Sequence, residues 1–168
     1  NIKTAILAES YVNLSINADT EVEKIQAIDN IIAPLITNPD VTYQITFVSG
    51  DSYQVELTYN GVTTTVIVDV TATFALTQAA QDFQDVNTAA TLIEDYFITG
   101  TITLTNYSNP TKYNAFLAQA NTLVEGLGVI IEITQDVHQA GNNPSTFTIT
   151  ILKGTQLITT TITVNYSK

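Results

Sequence analysis

Two stretches of this sequence carry hydrophobic residues at spacings of three and four, which places them on one face of an α-helix. These residues are Val22, Ile25, Ile28, Ile31, Ile32 and Leu35 in the first stretch, and Phe116, Ala120, Leu123, Val124 and Leu127 in the second. Thr20 and Glu23 have the spacing of a capping box at the start of the first helix. Asn109 is the predicted N-cap of the second helix, with Pro110 at its first position. Because these stripes must cover a sheet, we expect core positions at Ile25, Ile28, Ile32, Phe116, Leu123 and Leu127.

Each predicted helix is followed by three segments rich in β-branched and aromatic residues, separated by turn sequences. The segments are 41–48, 53–59 and 62–70 in the first half, and 129–135, 145–152 and 156–166 in the second. Asn60 and Gly61 form a strong two-residue hairpin signal. Alternating segments upstream of each helix, 11–16 and 97–104, could each pair as a fourth strand. Each half therefore predicts a helix packed on an antiparallel meander.

Three blocks of the first half resemble three blocks of the second half in the same order, which indicates an internal repeat. Residues 7–11 resemble 92–96, residues 41–46 resemble 129–134, and residues 63–70 resemble 159–166. The spacing between blocks grows only in stretches rich in Gly, Asn and Pro, as expected for loop insertions. Between the halves, helical spacing recurs at Ala80, Phe83, Val86, Ala90 and Ile93.

The predicted fold is therefore α+β, with two tandem copies of a helix packed on an antiparallel meander of three to four strands. A helical linker joins the copies. We expect the first copy at residues 1–72, the linker at 73–90 and the second copy at 91–168.

Composition narrows the classes of partner. Only 12% of the 168 residues are charged, and the formal net charge is −11. All five basic residues are lysines, Arg is absent, and the net charge of −11 would repel nucleic acids and anionic membranes. Although 45% of the residues are hydrophobic, no apolar run approaches the roughly 18 residues of a membrane span. The prediction is a soluble globular protein without a transmembrane segment.

The chain contains neither cysteine nor methionine. The lack of cysteine excludes disulfides, thiolate nucleophiles and cysteine-ligated zinc. A chain without methionine does not begin at its own start codon, so we expect a removed leader or excision from a longer chain. Both fit export, and we expect an extracellular or cell-surface location.

Candidate catalytic residues are few. His138 is the only histidine, so a Ser/His/Asp triad would have to include it, but its Gly/Asn-rich surroundings favour a solvent-facing loop residue. The close acidic pairs are Glu21 with Glu23, Asp82 with Asp85, and Glu94 with Asp95, and they are typical of helix starts and solvated faces. Ca²⁺ is the one cofactor considered, at Asp51 or at Asp82 with Asp85. We assign no catalytic, cofactor-binding or metal-binding residue and predict no enzyme, since an enzyme would need a cleft with a perturbed His138 or carboxylate pair.

Threonines dominate one face of the predicted strands. They occur at 63–65 and 159–161, and Thr146, Thr148 and Thr150 alternate with apolar residues. Such a face is either an ordinary solvated surface or a weakly charged surface for packing. The segments 97–104 and 156–166 lack the lysines that usually protect edge strands, which favours association through these edges.

Composition, tandem organisation and the segment YNGVTTTVIV at 59–68 resemble modules of secreted microbial coat proteins. Examples are surface-layer proteins and the repeat-built surface lipoproteins of wall-less bacteria. The helix-plus-meander order also resembles PepSY-type and tandem inhibitor modules. The coat resemblance implies a structural subunit of a surface layer or filament, assembling with itself or with neighbouring domains. The alternative is a secreted or cell-surface binding, adhesion or inhibitor module that stays monomeric until its partner binds.

Overall fold

The computed structural model describes residues 1–61 and 65–168, which form four α-helices and nine β-strands. The helices are α1 (Ile2–Ala8), α2 (Glu21–Ile32), α3 (Gln78–Thr99) and α4 (Asn109–Leu123), and a 3-10 turn at Ala33–Leu35 follows α2. The strands are β1 (Leu14–Ile16), β2 (Val41–Ser49), β3 (Ser52–Tyr59), β4 (Thr65–Thr71), β5 (Phe74–Leu76), β6 (Thr101–Thr103), β7 (Ile130–His138), β8 (Ser145–Lys153) and β9 (Gln156–Ser167). The predicted α+β class is confirmed. Contacts divide the chain into two compact units, Asn1–Ala80 (unit 1) and Gln81–Lys168 (unit 2).

Unit 1 contains an antiparallel three-stranded sheet in the order β2-β3-β4, and a parallel pair formed by β1 and β5. The N-cap of α2 is Thr20, whose hydroxyl accepts the N–H of Glu23 as the sequence predicts. The Glu23 carboxylate accepts the N–H of Asn17 instead of closing the capping box on Thr20. The core of the unit consists of Ile6, Tyr11, Ile28, Ile32, Tyr53, Val55, Leu57, Val68, Val70 and Ala72.

The helical stripe of α2 is narrower than the sequence predicts. Ile28 and Ile32 are fully buried and Ile25 packs against the core, but Val22 is 78% exposed. Val22 lies in the first turn of α2, where Glu21 and Lys24 are the residues that border Phe47 and Tyr53 of the sheet. The predicted strand 62–70 and its threonine face include Thr63 and Thr64, which lie outside the residues described.

Unit 2 contains a four-stranded sheet in the order β6-β9-β8-β7. Strands β7, β8 and β9 are antiparallel, while β6 pairs in parallel with the end of β9, Thr101 opposite Asn165. The core draws on residues of α3, α4 and the sheet. The rings of Phe116 and Phe147 stack at its centre with centroids 4.2 Å apart. Phe116 is fully buried as predicted, while Leu123 and Leu127 are half-buried at its margin.

Two predicted element boundaries in unit 2 are wrong, the N-cap of α4 and the strand at 97–104. The N-cap of α4 is Ser108, and Asn109 is the first helical residue. The predicted strand 97–104 is a strand only at Thr101–Thr103, because α3 continues to Thr99. Phe97 lies four residues after Ile93 on the buried stripe of α3, so helical burial overrides the local alternation. The predicted linker, residues 73–90, contains β5 and the first part of α3.

Candidate functional site

Strand β9 has an outer edge that is open over most of its length. Its inner edge pairs with β8 along Gln156–Val164, whereas β6 pairs only with the last three residues of β9. Within residues 1–61 and 65–168, no strand pairs with the outer edge between Gln156 and Val164. We call this nine-residue segment the open edge. Open edges present backbone N–H and C=O groups that can pair with another strand.

A groove of about 490 Å³ runs beside the open edge, between β9 and the end of α3. Its lining residues are Glu94, Phe97, Ile98, Thr161, Ile162, Thr163 and Asn165. Ile98 is 73% exposed at its mouth. Because alternate residues of a strand point to opposite faces, a strand added to the open edge would place every second side chain in this groove.

The side chains of β9 separate an apolar inner face from an exposed hydroxyl face. Burial alternates along the strand, with Ile162 and Val164 buried and Thr161 and Thr163 exposed. On the outer face the hydroxyls of Thr150 and Thr159 lie 3.1 Å apart. No residue from Gln156 to Ser167 is charged or a proline.

One acidic side chain reaches the open edge from α3. The Thr160 hydroxyl donates a hydrogen bond to the Glu94 carboxylate. Thr160 is the central residue of the open edge, so a negative charge lies beside the middle of an otherwise uncharged segment.

His138 is not the solvent-facing loop residue that the sequence predicts. It is the last residue of β7, and its side chain is only 5% exposed. Its Nδ1 lies 2.9 Å from Oγ of Ser145, and its Nε2 lies 2.6 Å from Oδ2 of Asp136. With Asp136 accepting from Nε2–H, Nδ1 accepts the serine hydroxyl, so both ring nitrogens are satisfied.

These three residue types are those of a catalytic triad, but their arrangement suits a structural clamp. Ser145 is fully buried at the start of β8, whereas a nucleophile must come within about 3.5 Å of its substrate. Because His138 and Ser145 are cross-strand partners, their hydrogen bond ties β7 to β8. The sequence signal for this cluster is Asp-x-His at the end of one strand and Ser at the start of the next.

Lys112 is a buried cation that the sequence analysis missed. Its ammonium is fully buried and donates to the carbonyls of Gln139 and Asn143, at 2.8 and 3.0 Å. It also lies 4.8 Å from the ring centroid of Tyr166. Burial raises the pKa of the Tyr166 phenol, and the Ser145 hydroxyl acts in the opposite direction. Lys112 therefore fastens the loop between β7 and β8 to α4.

The two places considered for Ca²⁺ were Asp51, in unit 1, and Asp82 with Asp85, in unit 2. Asp85 pairs with Lys153 at 2.6 Å, and the hydrogen bonds from Lys153 and then Gln81 lower the pKa of its carboxyl. Asp82 is 7% exposed beside Gly154, while Asp51 is exposed in unit 1. In the described part of the chain, no group of three or more His, Asp or Glu side chains could hold a metal ion.

Comparison with known protein families, curated proteins and solved structures finds no match for this chain. None of the helices in the described ranges has the length and apolar character needed to span a membrane. The open edge of β9 and its groove are therefore the candidate site, on the strength of their geometry and chemistry alone.

Proposed function

We propose that this chain is a non-enzymatic structural subunit of an extracellular surface layer or filament, assembling through strand edges or sheet faces. The observation that carries this proposal is the open edge of β9, the segment Gln156–Val164 whose outer side pairs with no strand in the described part of the chain. Natural edge strands are commonly blocked by lysine, proline or a covering element. None of the residues of this edge is charged or a proline, which supports pairing with a further strand.

The composition supports the same assignment. The threonine-rich face contains no charged residue at 146–150 or at 157–163, so little like-charge repulsion opposes contact at that face. Its net charge of −11 makes nucleic acid a poor partner, so the proposed partners are further copies of the chain or neighbouring domains of a surface assembly. The resemblance to secreted coat modules accords with this function.

We also propose that the two units are diverged tandem copies, with the first part of α3 as the helical link. In unit 1 the short strand β1 pairs in parallel with β5, the last strand of that unit. In unit 2 the short strand β6 pairs in parallel with the end of β9, the last strand of that unit. A helix then leads into an antiparallel meander. The shared order of elements supports duplication, which would give a coat subunit two similar sheets.

The proposal is tested by sedimentation velocity and electron microscopy across a wide range of protein concentrations. We expect the unmodified chain to form larger species, and Thr161→Lys to block them while the circular dichroism spectrum stays unchanged. Thr161 is exposed on the open edge, so a lysine there adds the charge that edge strands usually carry. Thr101→Lys, on the edge strand β6, should act in the same direction.

Thr122→Lys is the matched control, because it makes the same change at an exposed position of α4. Assembly should survive it. If the unmodified chain remains monomeric at every concentration and shows no lateral contacts in images, the coat function is wrong. The binding, adhesion or inhibitor module then takes its place, with the groove beside Ile98 as the binding site for an extended partner.

A further inference from the structure

The open edge of β9 has a nearly palindromic sequence centred on Thr160. Stepping outward from Thr160, the pairs of residues at equal distance are Thr159 with Thr161, Ile158 with Ile162, Leu157 with Thr163, and Gln156 with Val164. The two innermost pairs match in residue type, and no pair contains a charge. A strand with this symmetry is complementary to itself when turned end to end.

The burial pattern keeps this symmetry on each face of the sheet. Ile158, Thr160 and Ile162 point inward, while Thr159 and Thr161 are exposed. In an antiparallel pair, residues directly opposite each other lie on the same face. Two copies of the open edge would therefore place isoleucine against isoleucine inside, and threonine against threonine outside. Favourable cross-strand pairs of this kind contribute roughly 0.2–1 kcal/mol each.

We infer that β9 pairs antiparallel with β9 of a second copy, about a two-fold axis at Thr160. The contact joins the meanders of the two copies into one continuous sheet, through an interface that uses the same surface of both copies. This contact rests on the proposed function, and it names the register in which two subunits meet.

The length of the open edge fits this register. Gln156 of the second copy lies opposite Val164, and the next residue of β9, Asn165, pairs with β6. Beyond Gln156 the second copy turns away through its hairpin at Gly154. Pairing over Ile158–Ile162, the symmetric centre of the edge, therefore leaves β6 in place.

The groove beside the open edge receives the inward side chains of the added strand. Ile158 of the second copy lies opposite Ile162, which lines the groove together with Phe97 and the exposed Ile98. Covering Ile98 removes apolar surface from water, and the free energy of this burial adds to that of the main-chain hydrogen bonds.

Glu94 sets the strength of this contact. Its carboxylate accepts the hydroxyl of Thr160, the residue on the two-fold axis, so the two Glu94 side chains of a dimer lie on the same face close to that axis. Their like charges repel each other. Removing this charge should strengthen association, whereas removing an exposed charge elsewhere should not.

The register is tested by cross-linking, which a chain without cysteine makes specific. In an antiparallel pair, opposite Cα atoms lie about 4.5–5.5 Å apart, within the disulfide range of roughly 4.4–6.8 Å. Diagonal neighbours are about 7–8 Å apart. Only the residue on the axis meets itself, so Thr160→Cys should form a disulfide-linked dimer under mild oxidation.

Thr159→Cys and Thr161→Cys are the matched controls. Each alone should cross-link weakly, and an equimolar mixture of the two should cross-link strongly as a heterodimer. In the protein without cysteine, Glu94→Gln should lower the dimer dissociation constant roughly threefold to tenfold. Glu125→Gln, which removes an exposed charge near the end of α4, should leave it unchanged.

The results of these experiments distinguish a wrong register from a wrong proposed function. If Thr160→Cys cross-links no better than either neighbour alone, the register is wrong. Should the unmodified chain still assemble in that case, the structural role stands and another surface carries it. If the unmodified chain does not assemble at all, both the contact and the proposed function are wrong.

Discussion

At the scale of single residues, the hydrogen bond between Tyr43 and Asp29 has a measurable consequence. Two effects raise the pKa of Tyr43 from 10.0 to about 12. The larger is burial, and the second is the hydrogen bond that the phenol donates to the Asp29 carboxylate. A raised pKa means that folding favours the neutral phenol. The stabilisation is therefore fully present below pH 10 and is lost as the pH rises through about 12.

The pKa of Tyr43 can be read from the ultraviolet absorbance of the tyrosines, since the chain has eight tyrosines and no tryptophan. We expect Tyr43 to ionise near pH 12, and Tyr43→Phe to reduce the late part of the titration by one tyrosine, since burial also raises the pKa of Tyr11, Tyr53 and Tyr166. If the late part of the titration is as large in the Tyr43→Phe variant as in the unmodified chain, the assignment to Tyr43 is wrong.

The residue-scale predictions succeeded where the relevant contacts are local. Thr20 caps α2 through an N–H only three residues away, and the spacing of the two residues was enough to predict it. Lys112 bonds to carbonyls 27 and 31 positions away, which periodicity does not reveal. The same holds for His138, whose burial depends on the pairing of β7 with β8.

At the scale of helices and strands, burial decides which positions hold the structure together. Ile28 is fully buried on α2, so Ile28→Ala should lower the free energy of unfolding by about 2–5 kcal/mol through lost burial and a cavity. Val22→Ala, on the same helix but 78% exposed, should change it by less than about 0.5 kcal/mol. Urea denaturation followed by circular dichroism gives both values. A loss below about 1 kcal/mol for Ile28→Ala would contradict the buried stripe.

The existence of these elements was predictable, but some of their ends were not. Spacings of three and four predicted α2 and α4, because each must bury one face. Residues 97–99 alternate like a strand, yet Phe97 continues the buried stripe of α3. The parallel pairing of β6 with β9 joins residues 64 positions apart in sequence, and local alternation carries no information about such a partner.

At the scale of the whole molecule, self-association should make thermal stability depend on concentration. Anything that binds only the folded state raises its apparent stability by mass action. We expect the Tm to rise by roughly 1–3 °C for each tenfold increase in protein concentration. Thr161→Lys should abolish this rise, while Thr122→Lys should keep it. A Tm that does not change with concentration for the unmodified chain would argue against assembly.

The whole-molecule predictions from sequence were correct at the level of fold class. The order of helices and β-rich segments was sufficient to predict an α+β chain. The open edge was predicted only in outline, because β9 lies between β8 and β6 and is open at Gln156–Val164 alone. The groove formed with Glu94 and Ile98 depends on how α3 packs, which no local pattern encodes.

Because Lys112 is buried, the rate at which its side chain is modified measures how often unit 2 opens. Reagents that acylate amines, and proteases that cleave after lysine, need an accessible side chain. The chain has no arginine and only five lysines, and Lys112 is fully buried. Modification of Lys112 must therefore wait for a local or global opening, and its rate reports how often that opening occurs. The lifetime of this region against such proteases would follow the same opening events.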